Sequence, residues 1–159
     1  MISSESNRFM REAIRLASEN VRKGLGGPFG AVIVKDGKII ATGVNSVTKD
    51  NDPTAHAEIN AIREACRVLS SYQLDGCDIY TSCEPCPMCL GAIYWARPSR
   101  LYFAATKQDA ASVHFDDQFI YNEIALPHVS RSLPTQQMMR DEAMESFRLW
   151  ESSEVKKQY

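Results

Sequence analysis

Ser82–Cys89 (SCEPCPMC) is the stretch of this sequence that decides the fold. It follows a short apolar segment that is typical of a buried strand, and Pro85 or Pro87 suits the first turn of a helix. The stretch therefore marks the passage from a strand into a helix. Cys86 and Cys89 are three residues apart, so on a helix their sulfur atoms share one face.

Thr54–Glu58 (TAHAE) opens a second predicted helix. Zinc favours nitrogen and sulfur ligands in a tetrahedron, and a catalytic site takes three of them from protein and leaves the fourth position for water. His56, Cys86 and Cys89 supply such a set. Both helices direct their N-termini at the metal, where the partial positive charge of a helix start favours thiolates. We therefore predict that these three residues bind zinc, with one ion per chain.

Glu58 lies two residues from His56, close enough to reach water at the metal without being a ligand. A carboxylate there can take a proton from that water and hand it to a ring nitrogen and a departing amine. The pattern His-x-Glu followed by Pro-Cys-x-x-Cys is the signature of zinc nucleobase deaminases. The two motifs together predict a zinc-dependent hydrolytic deaminase in which Glu58 moves the protons.

Three other interpretations of the cysteines stay open. A lone Cys-x-x-Cys can be a redox pair, although that leaves the His-x-Glu motif without a role. A closed structural zinc site could use Cys83 as fourth ligand, but Cys83 stands at the strand end, and four protein ligands would leave no position for water. A zinc-binding interaction module would need neither Glu58 nor an open position.

Composition narrows the class of protein. The chain has 159 residues, 44% hydrophobic and 24% charged, which is ordinary for one soluble globular domain. No apolar run approaches the roughly 18 residues of a membrane helix. The polar N-terminus, Met1–Glu5, shows no secretory signal, so we expect a cytoplasmic protein. A net charge of −2 with scattered Lys and Arg favours a small-molecule substrate over nucleic acid.

Hydrophobic periodicity and turn residues predict the order α-β-β-α-β-α-β and then a tail. This alternation favours a three-layer α/β/α sandwich around one mixed sheet, as a single domain over residues 1–159. The predicted elements are Ser4–Lys23, Ala31–Val34, Lys38–Val44, Ala55–Leu69, Asp78–Ser82, Pro85–Ala96 and Leu101–Ala104. We expect Asp109–Pro134 to be irregular and Thr135–Ser152 to form a terminal helix.

The chain also resembles the bacterial guanine deaminases, a branch of the cytidine deaminase-like superfamily, along almost its whole length. The segments that carry the resemblance are Gly26–Val32, Asn51–Glu58, Tyr72–Leu74, Thr81–Pro98, Phe115–Asp117 and Lys156–Tyr159. The resemblance implies a cytidine deaminase-like fold. It also implies hydrolysis of guanine to xanthine and ammonia, with attack at the carbon that bears the exocyclic amine.

The resemblance assigns roles to further residues. Asn45 would hydrogen-bond the purine edge, and Asp117 would bind the base and assist proton transfer to the leaving amine as a second catalytic residue. Phe29 and Phe115 would enclose the purine ring. Main-chain N–H groups near Ala57 would also face the substrate.

In the guanine deaminase branch, the C-terminal segment closes an active site and is exchanged between the two chains of a dimer. We therefore expect a homodimer in which segment 135–159 is swapped and Tyr159 covers the substrate. A tRNA adenosine deaminase is the main rival function, but it would be expected to carry a basic RNA-binding surface, and the charges of this tail are mixed. A guanosine or other aminopurine deaminase is the nearer variant.

Overall fold

The computed structural model of the chain describes residues 4–159, which form two compact units divided after Asp117. Met1–Ser3, which belong to the segment used to judge a secretory signal, lie outside the described residues. Between residues 4 and 159, no helix combines the length and the apolar character needed to cross a membrane. The assignment of residues 1–159 to a single domain stays a prediction.

The first unit contains the predicted alternation of helices and strands. Its elements are α1 (Ser4–Arg22), β1 (Gly30–Lys35), β2 (Lys38–Val44), α2 (Val47–Asp50), α3 (Ala57–Leu69), β3 (Cys77–Cys83), α4 (Pro87–Ala96), β4 (Arg100–Ala105) and α5 (Lys107–Ser112). The single turn α2 is absent from the predicted order. Helix α3 begins at Ala57, two residues later than predicted, because His56 is its N-cap and has extended backbone angles.

The four strands form one mixed sheet in the order β2-β1-β3-β4. Strand β1 pairs antiparallel with β2 and β3, whereas β3 and β4 are parallel. Successive side chains of a strand point to opposite faces. Val32 accordingly packs with Phe9 of α1, while Ala31 and Ile33 pack with residues of α3 and α4 such as Ala61 and Ile93. The sheet lies between α1 on one face and α3 with α4 on the other, which confirms the three-layer α/β/α sandwich.

Helix α3 and strand β2 approach each other closely. The buried face of α3 contains the small residues Ala57, Ala61 and Ala65. At Gly43 of β2, a Cβ atom would lie 2.1 Å from the main-chain oxygen of Ala57, so no side chain fits there. This close packing holds the first turn of α3, which carries Glu58, against the C-terminal end of β2.

The expectation that Asp109–Pro134 is irregular is wrong, since short helices occupy much of it. Helix α5 is stabilised by a capping box in which Thr106 and Asp109 each bond the main chain of the other. The second unit follows with α6 (Gln118–Ala125) and one 3₁₀ turn, His128–Ser130.

The terminal helix, α7 (Arg140–Ser152), begins five residues later than predicted. Met139 precedes it in a left-handed conformation, φ 52°, which interrupts a helix. Asp141 and Glu142 lie in its first turn, where acidic side chains complement the helix dipole. The residues between Thr135 and Met139 are therefore outside the helix.

Candidate metal centre

Two helix starts supply the candidate metal ligands. His56 is the N-cap of α3 and Cys86 the N-cap of α4, and Cys89 lies in the first turn of α4. Pro87 opens α4, a position that proline suits because the N–H it lacks would have no partner within the helix. The Cys86 sulfur accepts the main-chain N–H of Cys89 at 3.5 Å. Cys86 thus caps α4, the helix that carries Cys89.

The distances between the three side chains fit a zinc ion. His56 Nδ1 lies 3.6 Å from Cys86 Sγ and 3.5 Å from Cys89 Sγ, and all three ligand atoms lie within 4.8 Å of one another. A tetrahedral ion with Zn–N bonds of about 2.0–2.1 Å and Zn–S bonds of about 2.3 Å separates nitrogen and sulfur by about 3.6 Å. Within residues 4–159, these form the one group of three or more His, Cys, Asp or Glu side chains placed to hold a metal.

The electrostatics of the group favour a thiolate. The pKa of Cys86 is lowered, chiefly by its interaction with the neighbouring Cys89 side chain and also by that with the His56 ring. The pKa of Cys89 is raised, first by the same interaction with Cys86 and then by burial. The bond to Cys86 also raises the pKa of His56. Cys86 is therefore ready to bind a cation at neutral pH, while Cys89 gives up its proton on binding.

Cys83, the alternative fourth ligand, is not part of this group. It ends β3, is buried, and its Sγ lies 3.6 Å from the main-chain oxygen of Thr106. Burial, and after it the charge of Glu58, raises the pKa of Cys83 to about 11. Its position outside the cluster of ligand atoms sets Cys83 apart from Cys86 and Cys89. Three ligands leave one position open, as in catalytic zinc sites.

Glu58 lies beside the candidate ligands without joining them. The side chain is 5% exposed, and burial raises its pKa. Its Oε1 accepts a hydrogen bond from the Thr81 hydroxyl at 3.2 Å, and its Oε2 accepts one from the Cys89 thiol at 3.5 Å. The sequence motifs do not single out Thr81, whose one signal is that it is a polar residue inside a buried strand.

The two aromatic residues predicted to enclose a substrate contact each other. Phe29 and Phe115 meet edge to face, with ring centroids 4.9 Å apart and planes at 88°. Asp117 follows closely in the chain, and its pKa is raised, chiefly by burial and then by the negative charge of Cys86. The structure therefore brings Asp117 within electrostatic reach of the metal ligands.

Asn45 follows β2 and is 7% exposed. Its Oδ1 accepts hydrogen bonds from the main-chain N–H groups of Gly27 at 3.3 Å and Val47 at 3.4 Å. Asn60 of α3, which the sequence does not single out, holds the same loop. Its Nδ2 donates to the main-chain oxygen of Val44 at 2.9 Å.

The two remaining predicted site residues lie in different units. Ala57 is buried and begins α3, so its N–H is among the helix-start amides that have no partner within the helix. Tyr159 belongs to the second unit and is 66% exposed. Its contribution to a site stays a prediction.

Comparison with known proteins gives the family. Residues 3–105 match the cytidine and deoxycytidylate deaminase zinc-binding region. Guanine deaminase of Bacillus subtilis (strain 168) is 58% identical over 151 residues, 95% of this chain and 97% of that protein. The X-ray structure of guanine deaminase from Bacillus subtilis matches with a TM-score of 0.94 at 57% identity, covering 96% of this chain and 98% of that one.

A tRNA-specific adenosine deaminase from Aquifex aeolicus is also similar, at 46% identity, but over 61% of this chain and 64% of that protein. The likeness to guanine deaminase continues well beyond the zinc-binding region at 3–105. The donor atoms, the buried glutamate and these matches agree on one assignment. The chain belongs to the cytidine deaminase-like superfamily of zinc-dependent aminohydrolases and, within it, to the guanine deaminase family.

Proposed function

We propose that this chain hydrolyses guanine to xanthine and ammonia as a step of purine metabolism. The observation that carries the proposal is the 58% identity to guanine deaminase over 95% of the chain. A likeness of that extent includes the parts of the site outside the metal-binding motifs. Such parts decide which ring is accepted, whereas the metal and its ligands are shared with deaminases of other substrates.

We assign the metal to His56, Cys86 and Cys89. When bound there, zinc supplies a Lewis acid that lowers the pKa of a coordinated water. Glu58 removes a proton from the attacking water and delivers it to the ring nitrogen beside the reacting carbon. That carbon bears the exocyclic amine, which leaves as ammonia. The burial that raises the pKa of Glu58 supports this role, because it makes the carboxylate a stronger base.

Asp117 is the second catalytic residue of the proposal, since it binds the base and assists proton transfer to the departing amine. Its raised pKa and its electrostatic repulsion by the Cys86 thiolate support a position near the reacting centre. Asn45 hydrogen-bonds the purine edge, and the Phe29–Phe115 pair encloses the ring. The N–H of Ala57 completes the polar contacts from the start of α3.

Release of ammonia from a panel of substrates tests the proposal. Guanine, guanosine, adenine, cytosine and tRNA are compared with the zinc-loaded protein, and the Glu58→Gln variant purified in the same way excludes a contaminating deaminase. We expect guanine to exceed adenine and cytosine by orders of magnitude in kcat/KM, because a site with buried polar partners rejects rings that leave them unpaired. Formation of inosine in tRNA with guanine inert would instead make the chain a tRNA deaminase, and preference for guanosine would make it a nucleoside deaminase.

We further propose a homodimer that exchanges segment 135–159, with Tyr159 covering the substrate of the neighbouring chain. None of the residues from 118 to 159 is buried, so the apolar side chains of this unit remain accessible to solvent. Helix α7 exposes Phe147 and Leu149, and α4 exposes Tyr94 and Trp95. Exposed apolar groups of this kind are typical of association surfaces.

All five cysteines are free thiols, which supports a cytoplasmic location.

A further inference from the structure

A buried asparagine outside the predicted site joins two of its loops. Asn20 lies in the last turn of α1 and is 2% exposed. Its Nδ2 donates to the main-chain oxygen of Asn45 at 2.8 Å and to that of Gly27 at 2.9 Å. The loop after α1 and the loop after β2 are thus held by one amide group from a helix on the opposite face of the sheet from α3.

The same two loops are joined by further contacts. The N–H of Gly27 donates to Asn45 Oδ1 at 3.3 Å, so the side chain of Asn20 and that of Asn45 bond opposite ends of one glycine. At Gly26, a Cβ atom would lie 2.2 Å from the main-chain oxygen of Asn45 and 3.1 Å from Asn20 Nδ2. The loops are therefore packed at a distance that only glycine permits.

These contacts determine which end of the Asn45 amide is available to a ligand. Two main-chain N–H groups, those of Gly27 and Val47, point at Asn45 Oδ1. The oxygen is consequently turned towards the loop, and the Nδ2 group is the end left to donate to a bound ring. Guanine presents two acceptors on one edge, N7 and O6. If the Asn45 amide were rotated by 180°, its Oδ1 would face N7 and O6 of guanine, and no hydrogen bond would form, because all three atoms are acceptors.

We propose that Asn20 is a positioning residue for substrate recognition, which fixes the main chain of Gly27 and Asn45 so that Asn45 presents its Nδ2 donor to the purine edge. This rests on the proposed function of the chain. Within the described residues, Asn20 Oδ1 has no hydrogen-bond partner, so the side chain acts through its Nδ2. Loss of that group removes the hydrogen bond to the Asn45 oxygen and leaves the Gly27 oxygen with the N–H of Phe29 alone, so one tie between the two loops is lost.

Steady-state kinetics of Asn20→Ala with guanine give the first test. We expect KM to rise about 3- to 10-fold, the size of one ordinary hydrogen bond to the ligand, while kcat and the zinc content stay near those of the unmodified protein. Phe9→Leu is the matched control, because Phe9 is a buried residue of the same helix that packs with Val32 and Tyr80. A variant of Phe9 with a similar loss of Tm should keep KM unchanged. An equal rise of KM in both variants would overturn the proposal, since it would reflect general destabilisation.

The dependence on Asn45 is tested by combining Asn20→Ala with Asn45→Ala. If Asn20 acts through the side chain of Asn45, its removal adds nothing to the KM of the Asn45→Ala variant. Equal fold-changes of KM in both backgrounds would contradict this.

A crystal structure of Asn20→Ala separates the inference from the proposed function, because it needs no turnover. We expect the contact between Gly27 N–H and Asn45 Oδ1 to lengthen or the Asn45 amide to rotate. An unmoved Asn45 would refute the positioning role even if guanine is the substrate. A displaced Asn45 in a protein that does not deaminate guanine would support positioning and refute only the substrate assignment.

Discussion

Thr81 donates a hydrogen bond to Glu58 across 3.2 Å, and both side chains are almost completely buried. Thr81 lies on β3, a central strand paired on both sides, while Glu58 lies in the first turn of α3. The bond therefore ties the predicted proton carrier to an interior strand of the sheet. Its other oxygen lies 3.5 Å from Cys89 Sγ, so the carboxylate stands directly beside a proposed metal ligand.

Removing the Thr81 hydroxyl should impair catalysis without emptying the metal site. We expect Thr81→Val to lower kcat about 10- to 100-fold, because a hydrogen bond to a charged group is worth about 1.5–3 kcal/mol. Thr81→Ser keeps the hydroxyl and serves as the matched control, with kcat near the unmodified value. Steady-state kinetics and zinc analysis check both variants. Wild-type kcat in Thr81→Val would mean that this bond does not position Glu58.

Substitution of Glu58 itself should separate proton transfer from metal binding. Glu58→Gln keeps the size of the side chain but cannot accept a proton, so we expect turnover to fall by at least ~10²–10⁴, the usual contribution of a general acid–base. Zinc content and Tm should change little. A variant that turns over normally would remove Glu58 from the mechanism, and one that loses zinc would make it a ligand.

Zinc content tests the three-ligand assignment directly. We expect about one zinc per chain in the purified protein, lost in Cys86→Ala and in Cys89→Ala and retained in Cys83→Ala, because three protein ligands complete a catalytic site. Metal analysis after dialysis measures each case, and Cys66→Ala, on the far end of α3, is a control for general loss of a thiol. Loss of zinc from Cys83→Ala with retention in Cys86→Ala would reverse the assignment.

We expect the Asp117 carboxylate to lower the stability of the folded protein at pH 7, although the residue is needed for catalysis. Burial raises its pKa above the ordinary value of about 3.9, so the folded state disfavours its charged form. The resulting loss in the free energy of unfolding is absent below a pH of about 3.9. It grows as the pH rises past that value and is complete above the pKa of Asp117 in the folded protein. Asp117→Asn should therefore have a higher Tm than the unmodified protein at pH 7 and a similar Tm near pH 3.5, with little activity. Thermal unfolding of the two proteins side by side decides this, and a lower Tm of the variant at pH 7 would contradict the burial argument.

The sequence is informative where the chemistry is local. His56, Cys86 and Cys89 are ligand types at helix starts, and the helix period alone places the two cysteines on one face. The motif spacing also brings Glu58 to the metal, and the alternation of apolar segments predicts the sandwich. The helix starts, the shared face of the cysteines and the place of Glu58 beside His56 follow from neighbours in the chain. The meeting of His56 with Cys86, 30 positions away, is indicated instead by the two motifs occurring together.

Hydrogen bonds between distant segments that belong to no motif cannot be predicted from local sequence patterns. Thr81, Asn60 and Asn20 act through hydrogen bonds to residues 23, 16 and 25 positions away, respectively, and nothing in their own sequence neighbourhood indicates the partner. The late start of α7 depends on the left-handed conformation of Met139, which a helical pattern of apolar residues does not reveal. The short helix α5 depends on one capping box.

The C-terminal residues offer the last test, which concerns the proposed exchange between chains. Val155 and Tyr159 are exposed apolar side chains on either side of the polar run Lys156–Gln158, beyond α7. A chain end of this kind frays unless another surface holds it. If Tyr159 covers the substrate, deletion of Val155–Tyr159 should raise KM for guanine and lower kcat/KM while zinc content stays at about one per chain. Tyr159→Phe is the matched variant, since it keeps the ring and removes the hydroxyl.

Mixing two impaired chains, each deficient in a different part of the site, distinguishes exchange from closure within one chain. The Glu58→Gln protein carries an intact C-terminus, and the truncated protein carries an intact Glu58. If the segment reaches into the neighbouring chain, refolding the two together should form mixed dimers in which one site has both parts, and kcat/KM should rise above the average of the separate preparations. Light scattering should give a dimer at micromolar concentration. A fully active monomer, or a truncated protein with unchanged kinetics, would rule out the exchange, because no site would then depend on the C-terminus of another chain.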